Sequence, residues 1–150
     1  MKKILLLLAL MTSFSFAAQT PPAQAKAPEI KAELKAEDVP AVLNQIALEV
    51  TMGLPKRLDY ITTVDRVTSK KNNIKYYYIL NDDEDFVLSK FDKTRKNEFR
   101  NQIIKGAKSF LCQNANTLEL MKKGAIFHYI YDLRDGKRYF SFFLEAKDCK

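Results

Sequence analysis

Three stretches of this chain, residues 74–80 (IKYYYIL), 125–133 (AIFHYIYDL) and 137–146 (KRYFSFFLEA), are rich in aromatic and β-branched residues. Such runs favour strands, and on a strand successive side chains alternate between two faces. One face takes Tyr76, Tyr78 and Leu80, then Phe127, Tyr129, Tyr131 and Leu133, then Phe140, Phe142, Leu144 and Ala146. The other takes Tyr77, Ile79, Ile126, His128, Ile130, Tyr139 and Phe143. A sheet that is apolar on both sides needs cover on both sides. The expectation is that an N-terminal helix covers one face and later helices the other. The alternative leaves Tyr77, His128, Tyr139 and Phe143 exposed as a docking or self-association patch.

Helices are available. Val39, Val42, Leu43, Ile46, Ala47 and Val50 recur at three- and four-residue spacing behind Asp38 and Pro40, with Gly53 and Pro55 as a stop. Asp38 is the expected cap. Phe99, Ile103, Ala107, Phe110 and Leu111 share a face of a second helix within residues 91–113. A short third helix is expected to be capped by Asn116 with Glu119 returning the cap, and to end at Gly124. Residues 60–69 (YITTVDRVTS) add a strand in which Ile61, Val64 and Val67 break strict alternation, and a bulge would reconcile them. Residues 70–73 make one turn, and Arg134-Asp135-Gly136 makes another. The order α-β-β-α-α-β-β predicts an α+β fold with a four-stranded antiparallel sheet packed with helices.

The N-terminus carries a different signal. Lys2 and Lys3 precede an apolar run from Ile4 to Met11, and Ser15-Phe16-Ala17 supplies small residues at an exit site. That layout predicts a cleavable secretory signal over residues 1–17. Residues 18–38 are Ala, Pro, Lys, Gln and Glu with little to bury, and read as a flexible tether. A single domain over residues 39–150 follows. In an exported chain the only two cysteines, Cys112 and Cys149, are expected to form one structural disulfide, since no Cys-x-x-Cys pair marks a redox site.

Tyr76-x-Tyr78, Cys112, Gly124 followed by Tyr129-x-Tyr131, Asp135-Gly136 and Asp148-Cys149 together resemble a loose class of small exported proteobacterial proteins. The resemblance spans most of residues 54–149. It implies export, the disulfide and the α+β layout, and brings no catalytic residue.

Chemistry is scarce. His128 is the single imidazole, so a zinc site of ordinary composition is out of reach and it reads as a half-buried strand residue. Asp82, Asp83, Glu84 and Asp85 lack the alternating acids, glycine and distal Glu of a calcium loop, and read as solvated. Neither a metal nor a cofactor is expected. Nucleophile elbows, phosphate loops, Ser-x-x-Lys and His-Glu-x-x-His are absent from the sequence. The formal charge is +7, reduced by two with the loss of Lys2 and Lys3, and it concentrates on the second helix. Lys93, Lys96 and Arg100 there form a candidate basic surface, whose exported setting argues against nucleic acid. The sequence therefore predicts a non-enzymatic periplasmic module that binds another envelope protein. A small-molecule or lipid-binding domain using the aromatic face is second, and a small hydrolase is last. Beyond an envelope protein, the partners considered are an anionic membrane surface and a second copy of the chain.

Overall fold

A computed structural model describes residues 34–82 and 87–150. The signal segment 1–17, most of the tether and the acids Asp83, Glu84 and Asp85 lie outside the described residues. The elements are α1 (Val39–Thr51), β1 (Lys56–Arg57), β2 (Thr62–Lys70), β3 (Asn73–Leu80), α2 (Lys93–Gln113), α3 (Ala115–Lys122), β4 (Ile126–Leu133) and β5 (Arg138–Leu144). The packed part starts before Val39. Leu34 is buried, and Ala36–Asp38 form a single 3-10 turn leading into α1.

The fold is α+β, with two corrections to the expected sheet. It has five strands in the order β1-β2-β3-β4-β5, and its central pair, β3 with β4, is parallel. The added strand β1 is only Lys56–Arg57, pairing with Val64 and Thr63, and has no apolar alternation to announce it. The parallel pairing follows from the connection. Residues 81–125 carry α2 and α3 across the sheet and return the chain to the end at which β3 began. A crossover of that kind produces parallel neighbours, whereas tight turns produce the antiparallel hairpins β2–β3 and β4–β5.

Local chemistry explains the joints. Asp92 caps α2, its carboxylate accepting from the Arg95 backbone N–H at 2.8 Å. The cap of α3 is Asn114, which accepts from Thr117 N–H at 3.0 Å, and Asn116 lies inside the helix. The expected cap was therefore misplaced by two residues, because α2 and α3 share Asn114 as boundary. Asp38 makes no side-chain cap, since the 3-10 turn runs straight into α1; its carboxylate accepts from Lys35 N–H at 3.1 Å instead. The bulge in β2 is present between Val64 and Arg66, and it turns both Val64 and Val67 to the buried side. Gly136 closes the β4–β5 turn at φ 82°, a conformation that favours glycine. Gly124, at φ 102°, delivers the chain from α3 into β4, where Ile126 N–H donates to Asn72 O at 2.8 Å.

One core holds the molecule together. It unites Val39, Leu43, Ile46 and Ala47 of α1, Ala107 and Leu111 of α2, and Leu120 and Met121 of α3 with one face of the sheet. At its centre the rings stack in two rows across three strands. Tyr76, Tyr129 and Phe142 make one row, with centroids 5.5 and 5.0 Å apart, and Tyr78, Tyr131 and Phe140 make the other, at 4.5 and 4.6 Å. Each such contact contributes about 0.5–1.5 kcal/mol beyond the burial of its area. Burial pushes the phenols of Tyr76, Tyr78 and Tyr131 well above the ordinary tyrosine range. The Cys112–Cys149 disulfide ties the end of α2 to the C-terminal 3-10 turn Ala146–Cys149.

Two outcomes follow for stability. Tyr129→Ala, in the middle of a row, should cost about 3–5 kcal/mol in denaturant unfolding, whereas Tyr77→Ala on the opposite face should cost about 1 kcal/mol or less. Equal losses at the two positions would contradict this division of faces. Replacing both cysteines by Ser should lower unfolding free energy by about 4 kcal/mol, given a sequence separation of 37 residues.

Candidate functional site: a sheet face without a helix

The three α-helices of the described residues all lie on the same side of the sheet. The strand residues packed in the helix-bearing core, from Val64 and Val67 through Tyr76, Tyr78, Tyr129 and Tyr131 to Phe140 and Phe142, belong to one face. This corrects the expectation of helices on both sides. The reason lies in the register, which interleaves the apolar residues of the second face with charged and polar ones. Thr68, Lys75, His128 and Phe143 stand side by side across β2 to β5. The next row is Arg66, Tyr77, Ile130 and Ser141, and beyond it come Thr63, Ile79, Asp132 and Arg138. Such a surface tolerates water where an all-aromatic one would not.

The site is thus a patch at the middle of the sheet to which no helix of the described residues is packed. Ile130 lies beneath it, buried at 4% exposure and outside the main core cluster. Phe143 stands out from it at 55% exposure. The Arg66 guanidinium lies 4.2 Å from the centre of the Tyr77 ring, a cation–π contact between neighbouring strands. His128 is half-buried between Lys75 on β3 and Phe143 on β5, its ring edge-to-face with the phenylalanine at 6.5 Å. Asp132 is held in an ion pair by Arg138.

Of the four residues expected to form the patch, Tyr77, His128 and Phe143 come together and Tyr139 does not. A register shift beside Tyr131 and Asp132 makes Tyr139 the extra residue of a bulge in β5. Its ring meets Phe99 of α2 at 6.2 Å, and its hydroxyl donates to Leu88 O at 3.0 Å. Tyr139 therefore belongs to the helical side. There the Lys96 ammonium lies 4.9 Å from its ring centre, so Lys96 is half-buried rather than freely solvated. Arg100 is half-buried too, and Lys93 alone of that basic trio is fully exposed. This basic surface is on α2 and does not join the open patch. Arg66, Lys75 and Ile130 are the patch members that the sequence did not single out as a site. Counting back from the turn at residues 70–73 sets Arg66 beside Tyr77.

No group of three or more His, Cys, Asp or Glu that could hold a metal occurs among the described residues. Asp82, the one described member of the acidic loop, accepts a hydrogen bond from Ser89 N–H at 3.1 Å. The His128 imidazole titrates below its ordinary value, first because partial burial disfavours the cation, then because Lys75 and Arg138 repel it. A histidine depressed in the folded state stabilises most fully above the unfolded value of about 6.5, and that contribution is lost as pH falls through the folded value. NMR titration should place His128 below 6.5, and Lys75→Gln should move it upward; a shift downward in that variant would contradict the assigned cause.

No protein-family model matches the sequence, and no curated protein matches it. Among solved structures, the fold is similar to the pilotin EpsS of the Vibrio vulnificus type 2 secretion system, with a TM-score of 0.60 and 17% identity over 77% of this chain and 94% of that one. It is similar to a Pseudomonas aeruginosa protein assigned as secreted, with a TM-score of 0.60 and 16% identity over 79% of this chain and 99% of that one. The type II secretion pilotin AspS of Vibrio cholerae gives a TM-score of 0.56 and 15% identity over 76% and 94%. At these identities the likeness is one of fold, and it takes in nearly the whole of each neighbour.

Proposed function

We propose that the chain is an exported, non-enzymatic interaction module that docks a segment of another envelope protein on its helix-free sheet face. The observation that carries this reading is the one-sided placement of the helices among the described residues, which leaves Tyr77, His128 and Phe143 together on the uncovered face. A sheet face of this kind suits a macromolecular segment, whereas a small molecule is better held by a concave pocket. The fold shared with two secretion-system pilotins and a protein assigned as secreted supports an envelope setting, as does the signal-like layout of residues 1–17. In this reading residues 1–17 are removed on export to the periplasm. The tether up to Leu34 then gives the domain reach, and the disulfide closes in the oxidising compartment.

A photo-crosslinking amino acid placed at position 143, with a control at the exposed α2 position 93, tests this in the cell envelope of the producing bacterium. The expected result is a reproducible adduct with one envelope protein from position 143 and none from position 93. No adduct from 143, or the same adduct from both positions, would sink the proposal.

A further inference from the structure

The open face has an electrostatic character that its aromatic residues conceal. Arg66 and Lys75 are neighbours of Tyr77 and His128 on it, and among the described residues neither has a carboxylate within ion-pair distance. One acid of the same face, Asp132, is already engaged by Arg138. Repulsion of the His128 proton by Lys75 and Arg138 reports the same positive potential from within the patch. We infer that the occupant of this face is an acidic amphipathic segment of a partner protein. Its carboxylates meet Arg66 and Lys75, and its apolar side chains meet Tyr77 and Phe143. This rests on the reading that the face docks a protein.

Charge complementarity decides among occupants. A second copy meeting the patch face to face would bring one positively charged surface against another, which like-charge repulsion disfavours. An anionic bilayer satisfies the cations but gains little from the apolar groups. Phe143 alone among them stands more than half exposed, while Ile130 lies at the floor and Tyr77 is capped by Arg66. A peptide segment crossing the strands can set carboxylates on Arg66 and Lys75 of β2 and β3 and lay an apolar side chain against Phe143 of β5. The Arg66 guanidinium is held by the Tyr77 ring before any partner arrives, so less side-chain entropy is lost on pairing.

The test uses the full-length exported protein with the photo-crosslinker at position 143, in three versions: otherwise unchanged, R66E/K75E, and R66K/K75R. The expected result is that R66E/K75E lowers adduct yield at least about tenfold, while R66K/K75R stays within about twofold, at equal thermal midpoints. Mass spectrometry of the adduct should locate the crosslink in a partner segment with Asp or Glu flanking apolar residues. An adduct whose yield is the same in all three versions overturns the inference and leaves the docking reading standing. An adduct with a second copy, with the chain's own N-terminal residues or with lipid also overturns it. The absence of any adduct at 143 removes the docking reading itself, and the two failures are thereby distinct.

Discussion

Two Tyr-x-Tyr segments lying parallel and in register set the arrangement on which the rest of the molecule depends. Tyr76 meets Tyr129 and Tyr78 meets Tyr131, and Phe142 and Phe140 extend the two rows onto β5. Six large rings on one face of three strands form a surface too wide for a single helix of ordinary diameter. α1 covers it toward β2 and β3, while α2 and α3 complete the same core from the β5 side. Once both groups of helices are committed to that side, none among the described residues remains for the other. The bare face is thus a consequence of how the core is filled.

The two faces divide their labour by composition. On the buried side every ring meets another ring or an aliphatic chain, and the tyrosine hydroxyls are kept protonated far beyond any physiological pH. On the open side each apolar residue has a polar or charged neighbour in its row, which keeps the surface soluble without a cover. The β5 bulge sharpens the division. By adding one residue it moves Tyr139 to the helical side, where its hydroxyl fastens β5 to the turn Leu88–Lys90 and its ring supports Lys96. An aromatic residue that alternation assigns to the open face thus becomes a brace for α2.

Much of this was legible in the residues. The strands of residues 74–80, 125–133 and 137–146, the three helices, the disulfide and the β2 bulge all follow from alternation, helical spacing, cysteine number and the misfit of Val64 with Val67. What could not be read is the pairing across the middle of the sheet. The parallel pairing of β3 with β4, which sets Lys75 beside His128 and Tyr77 beside Ile130, depends on a long crossover whose route no local pattern encodes. The misassignment of Tyr139 has the same root, since a bulge changes the face of a side chain without changing its identity.

The repeated Tyr-x-Tyr pattern carries a hidden ambiguity. A slip of β4 along β3 by two residues keeps every side chain on its own face, so burial alone does not forbid it. Such a slip would even keep a tyrosine opposite a tyrosine in one row. The junction at Gly124 removes the degeneracy. A Cβ there would come within 3.3 Å of the Asn72 side chain, and Ile126 is hydrogen-bonded to Asn72 O at the very start of the pairing. The chain therefore selects its alignment at the strand's first residue, by a close backbone approach, and the rings further along are told which partner to take.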